Sequence, residues 1–235
     1  MNDLPQELID HISSFLDWKS LKKTLTVSLK FQVAAEAHSG VFEEITITQV
    51  NAGKFLDVFS GRRALYLRCV KLRPTLPALD HHAEPDFHVL KSDHLCRENS
   101  DDLRRADEHF SSQIELLFAT LQSLESRLED LKYANQLNIR LMIYTPRRHV
   151  LDEAYYCRHR AYVSWRLHLL RLAELPTIKI VRTLTFENCK RYDSLSDDFK
   201  RVQPSLRSLD LRIILDLASK LSGLEVLQCR LGGEA

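Results

Sequence analysis

The sequence predicts a mixed α/β (α+β) chain, in which a short all-helical unit at residues 1–42 precedes a longer region of strands and helices at 43–235. Three observations carry that expectation. Apolar residues recur at three- and four-residue steps through the N-terminal stretch. Past Gly40 the texture changes to short alternating runs with β-branched residues, separated by helical patterns. The longest helical pattern, residues 101–136, then stands inside the second region.

Leu4-Pro5-Gln6-Glu7-Leu8-Ile9 opens the first helix. Pro5 suits the first turn, where a missing N–H costs nothing, and Asp3 precedes it as a cap. Leu4, Leu8, Ile9, Ile12, Phe15 and Leu16 share one wide apolar face. A second short helix follows Asp17 through Leu21 and Leu25, and a third runs from Leu29 to His38 after Val27-Ser28, with Gly40 as its C′ residue. Three such helices fall below the size at which one core supports itself, so part of their apolar surface has to be covered by something else.

The string Leu4-Pro5, Glu7-Leu8, Ile12, Phe15-Leu16, Leu21, Val27-Ser28 and Phe31 resembles an F-box, from its Leu-Pro start to its Val-Ser-x-x-Phe end. The resemblance implies docking on the Skp-type adaptor, and through it on the cullin scaffold and RING subunit, of an SCF-type ubiquitin ligase. It implies Leu4, Pro5, Leu8, Ile9, Ile12, Leu16, Leu21, Val27 and Phe31 as the adaptor-binding set. Some of the first six would cover the adaptor, while Leu21, Val27 and Phe31 hold the three helices together.

In the second region, Val41 to Thr48 reads as a strand, Lys54 to Phe59 as a short helix closed by Gly61, and Ala64 to Arg68 as another strand. Further leucine-containing strand candidates are Leu137–Leu141, Arg182–Phe186, Arg207–Leu211 and Glu225–Cys229. Leu184, Leu209 and Leu227 are spaced near the period of a leucine-rich repeat, and the others are not. The expectation is a degenerate leucine-rich-repeat-like solenoid, whose units bury their faces by stacking. Because the sequence stops at Gly232-Gly233-Glu234-Ala235, right after a strand candidate, the array is expected to be incomplete at its C-terminal end.

Residues 73–99, with Pro74, Pro77 and Pro85, read as a loop or insertion. It holds His81, His82, His88, His94 and Cys96, but in no recognised zinc spacing, so no metal site is assigned. Within residues 101–136, Ile114, Leu117, Leu121, Leu124, Leu128 and Leu131 form a heptad seam too short for a coiled coil. The seam is expected to pack on the sheet. The basic-aromatic stretch from Arg147 to Arg166 reads as a helix with core positions Ala154, Tyr155, Val163, Leu167, Leu170 and Leu172, more than as a nucleic-acid surface.

Composition narrows the function classes. With 44% hydrophobic and 28% charged residues the chain is ordinary globular material. Lys+Arg 33 against Asp+Glu 32 leaves a formal net charge of +1, so no overall field argues for nucleic acid or an anionic membrane. There is no run of eighteen apolar residues and no basic-then-apolar leader, which makes cytoplasmic and/or nuclear residence the default. The five cysteines form no C-x-x-C pair and read as reduced. No P-loop, G-x-G-x-x-G, G-x-S-x-G or H-E-x-x-H occurs, so neither catalytic residues nor a cofactor are expected.

The function expected from the resemblance is therefore a non-catalytic substrate-recognition subunit, whose repeat-like region binds a substrate protein and acts by proximity. The alternative is an adaptor-binding F-box protein working outside ubiquitin transfer, as a structural or assembly subunit.

Overall fold

The computed structural model of the chain describes residues 4–77, 99–130, 137–148, 167–187 and 211–230. It is a mixed α/β structure built on a parallel sheet.

The N-terminal helices are α1 (Gln6–Ser14), α2 (Trp18–Thr24) and α3 (Leu29–His38). Local chemistry sets their ends. Asp17 caps α2 by accepting from the Ser20 N–H at 2.8 Å, and Ser28 caps α3 by accepting from the Phe31 N–H at 3.3 Å. Gly40, at φ +69°, supplies the left-handed residue just past α3. Pro5 occupies the N-cap position of α1, one place before the expected first turn, and the proposed cap Asp3 lies outside the described residues.

After Gly40 the chain lays down β1 (Glu44–Ile47), α4 (Ala52–Val58), a 3-10 helix (Gly61–Tyr66), β2 (Cys69–Leu72) and β3 (Thr75–Leu76). There follow α5 (Ser100–Asp130), β4 (Ile139–Tyr144), β5 (Arg147–Arg148), a 3-10 turn (Leu172–Glu174), β6 (Val181–Glu187), α6 (Leu211–Ser219) and β7 (Val226–Arg230). Five strands make the main sheet in the order β1-β2-β4-β6-β7, all parallel, while β3 and β5 pair separately.

The register explains why these strands form. Ile45, Val70, Leu141, Leu184 and Leu227 stand side by side across all five, as do Ile47, Leu72, Ile143, Phe186 and Cys229. The residues between them, Thr46, Lys71, Met142, Thr185 and Gln228, form the ladder on the opposite face, as a period of two requires. Leu141, Leu184 and Leu227 are separated by equal steps in sequence, but Ile45, Val70 and Leu141 are not, so the five-stranded ladder keeps no single period. The shorter period through Leu209 is not the ladder spacing, because Leu184 pairs directly with Leu227.

The 31-residue α5 covers the apolar ladders. Its seam residues Ile114, Leu117, Leu121, Leu124 and Leu128 are buried in one core with Leu141, Ile143, Leu184 and Phe186, as expected, while Leu131 lies outside the described residues. Polar contacts fix the helix at several heights. The Arg127 guanidinium donates to the Leu56 carbonyl at 2.7 Å, and one Glu125 carboxylate oxygen accepts the N–H groups of Lys179 and Ile180 at 2.8 and 3.0 Å.

Three expectations need correction. Residues 64–68 are not a strand: Ala64 and Leu67, three apart, are both fully buried, which suits the three-residue turn of a 3-10 helix, and the strand begins only at Cys69. The loop expected from residue 73 contains β3, whose neighbour Gln113 on α5 accepts the Thr75 N–H and donates back to its carbonyl. The helix expected through Leu172 does not reach that far. Residues 167–170 are non-helical because Asp107 and Ser111 of α5 accept the His168 and Leu170 N–H groups at 2.8 Å, and Arg171 then turns at φ 55°. Of the strand expected at 207–211, Leu211 begins α6 and the rest lies outside the described residues, as do 78–98 and 149–166.

Candidate functional site: an exposed apolar ridge on the N-terminal helices

α1 is apolar over a wider arc than α3 can cover. Ile9 and Ser13, four residues apart, are fully buried on the side that meets α3. Leu8, Ile12 and Phe15, at i, i+4 and i+7, form the adjacent stripe, and they are 50%, 44% and 76% exposed. The Phe15 ring stacks edge-on with His11, at 4.9 Å between centroids. Leu4, Trp18, Leu25, Val27 and Leu29 extend the exposed apolar surface over the start of α1, over α2 and onto the start of α3.

Single exposed leucines are common on any protein; Leu8, Ile12 and Phe15 differ in falling at successive turns along one face of α1. In the sheet region most of the described large apolar residues are sealed in one core, and the exposed ones are Val50, Val58, Leu211 and Leu215 of α6, and Val226 and Leu227 of β7.

The helix against which α1 packs, α3, is tied to the 3-10 helix before β2 by a buried charge. Glu36 of α3 keeps 3% of its side chain exposed. Its two carboxylate oxygens accept from Arg62 at 3.3 and 3.0 Å and from Arg63 at 3.1 and 2.6 Å, with Gln32 adding a bond at 3.2 Å. Burial pushes the Glu36 carboxyl up, but hydrogen bonds from Arg63 and Arg62 outweigh it and hold the pKa below the usual glutamate value. Arg63 also lies over the Phe42 ring at 5.1 Å. Beside this clamp a cavity of about 240 Å³ opens between Trp18, Leu21 and Leu25 of the helices and Val41 and Phe42 before β1.

Comparison with protein-family models, with curated proteins and with solved structures returns no match.

The residues expected to bind an adaptor divide on inspection. Leu4, Pro5, Leu8 and Ile12 are exposed and available, and Leu16 is half-buried. Ile9 is not available, because it is the α1 side chain that packs inward. Leu21 is buried and Phe31 half-buried, while Val27 is 48% exposed at the turn before α3. Phe15, Trp18, Leu25 and Leu29 belong to the ridge although they were outside the expected set. Phe15 already stands on the apolar face expected of α1, where the eight-twelve-fifteen spacing puts it beside Leu8 and Ile12. For Trp18 the signal was the Asp17 cap, which fixes where α2 begins.

Elsewhere, Cys69 and Cys229 are free thiols, and burial pushes the Cys69 thiol up. Among the described residues no group of three metal-ligating side chains gathers, and no helix is long and apolar enough to cross a membrane. The histidine cluster at 81–96 lies outside the described residues.

Proposed function

We propose that the N-terminal helices are an F-box-like docking module, and that the chain is a substrate-recognition subunit of an SCF-type cullin–RING ubiquitin ligase. The observation that carries this reading is the exposed ridge of Leu8, Ile12 and Phe15, with Leu4, Trp18 and Leu25 around it, on helices too short to bury it themselves. A groove in a helical adaptor would take such a ridge as an amphipathic helix takes its partner, through anchors at i, i+4 and i+7. The parallel-stranded region would then act as a leucine-rich-repeat-like solenoid that holds a substrate protein. Its role is proximity: docking converts a meeting of substrate and ligase into an intramolecular one.

Co-expression with a Skp-type adaptor tests the reading. The wild-type chain is expected to co-purify with it, and Leu8→Asp to abolish co-purification, because a carboxylate in a desolvated apolar contact costs several kcal/mol. Leu8 is half-exposed and near the start of α1, where an acidic residue suits the helix dipole, so the variant should remain folded. Co-purification of Leu8→Asp at wild-type yield would overturn the assignment.

A further inference from the structure

The ridge has two unlike flanks. On α1 the charged neighbours are acidic, Glu7 and Asp10, with Asp10 bonded to Gln6 at 2.9 Å. On α2 they are all basic: Lys19, Lys22 and Lys23 are exposed, and the helix carries no acidic residue. Lys22 and Lys23 sit in the last turn, where cations complement the carbonyl end of a helix and a structural account suffices. Lys19 does not fit that account. It is the second residue of α2, at the end where a cation opposes the helix dipole, and it stands beside the exposed Trp18.

Resting on the docking function above, we propose that this surface recognises a protein groove with an apolar floor and a carboxylate-lined wall, and that Lys19, Lys22 and Lys23 face that wall. The apolar stripe supplies the contact area. The lysines supply the orientation, since reversing the ridge in the groove would bring Glu7 and Asp10 against the partner's carboxylates.

An anionic membrane would also attract three lysines beside exposed Trp and Phe. The same ridge argues against it. Glu7, Asp10 and Asp17 stand among the apolar residues, and Asp17 is held ionised by its hydrogen bonds from Ser20, so a phospholipid surface would be repelled where it met α1.

The test measures affinity of the purified full chain for the Skp-type adaptor at low and high salt. Wild-type affinity is expected to fall with salt, because rim charges act through water. The triple variant Lys19→Glu, Lys22→Glu, Lys23→Glu is expected to bind at least about tenfold more weakly at low salt and to lose most of the salt dependence. A triple Lys→Gln variant should fall between, a triple Lys→Arg variant should bind as wild type, and Lys54→Glu on α4 should change nothing. Circular dichroism establishes that each variant is folded. If the charge-reversed chain binds within about twofold of wild type with the same salt dependence while Leu8→Asp does not bind, the basic flank is not part of the interface and the docking function stands. If the wild-type chain binds no adaptor, both readings fall. If it instead co-sediments with phosphatidylserine vesicles and the charge-reversed variant does not, the partner is a membrane and the proposal is overturned.

Discussion

Leu8 and Leu184 are the same residue in opposite circumstances. Leu184 is fully buried, with Leu141 and Leu227 on either side in the ladder and the α5 seam in the same core. Leu8 is half-exposed, with an exposed turn above and below it on α1. Both come from apolar periodic patterns, so periodicity identifies a face but not what covers it. In the sheet region a long helix is at hand to cover the face. In the N-terminal helices the available partner, α3, is about as narrow as α1 itself, and half of the α1 face is left over.

The contrast can be broken from the sheet side first. Leu184→Ala is expected to destabilise the chain by about 4 kcal/mol, since a central position in a closed core collapses poorly around a cavity. Chemical denaturation monitored by circular dichroism measures it, and a loss below about 1 kcal/mol would mean the core is not closed there.

Gly223→Ala acts just before β7. A methyl group there would meet the Lys179 carbonyl oxygen at 2.0 Å, where Arg182 also donates to the Gly223 carbonyl at 3.2 Å. Backbone, not a flexible side chain, would have to move. A loss of about 3 kcal/mol is expected, with hydrogen exchange in β7 quickened more than in β4. Equal protection of the two strands in the variant would count against the close approach.

Glu36 joins the two regions, and its removal should be felt by both. Glu36→Ala is expected to cost about 2 kcal/mol, less than a wholly buried pair, because Arg62 and Arg63 keep about a third of their side chains in water. The sign of its pH dependence follows from the lowered pKa. The stabilisation is complete above about pH 5 and is lost as pH falls through the depressed folded value. Thermal midpoints of wild type and Glu36→Gln should therefore converge on acidification, and a gap that widened below pH 5 would refute the clamp.

The smallest expected effect on stability is that of Leu8→Asp, under about 0.5 kcal/mol, as for other exposed positions. A loss comparable to Leu184→Ala would show that the α1 face is covered within the chain, and the contrast between the two leucines would disappear.

Much of this arrangement was legible in the sequence where a local rule and a tertiary need agree. α3 was expected at Leu29–His38 and is found there, since Ser28 at its start and Gly40 past its end specify the boundaries locally. The α5 seam was legible because its heptad steps have one physical solution once a sheet is present. Residues 64–68 misled because Leu65 and Leu67 alternate like a strand, while the burial of Ala64 and Leu67 and the pull of Glu36 on Arg62 and Arg63 select a tighter turn. The end of the helix expected through Leu172 was hidden for a related reason. Its competing bonds come from Asp107 and Ser111, which are far away in sequence. At the candidate site the apolar face of α1 was readable, but its division into Ile9 inside and Leu8 outside depends on where α3 lies.

The span of α5 bears on how the chain is made. At about 1.5 Å per residue the helix is roughly 46 Å long, and its partners are synthesised on both sides of it, α4 and β3 before, β4 and β6 after. When Asp130 is added to the growing chain, β1 and β2 are complete, but β4, β6 and the segment around His168 have still to be made. The amides of Lys179 and Ile180 that satisfy Glu125 arrive some fifty residues later. Until then the part of the α5 seam that meets β4 and β6 lacks those partners, and at about 5–20 residues per second that interval lasts several seconds. The nascent chain thus passes through a period in which a helix that the finished core seals is partly open.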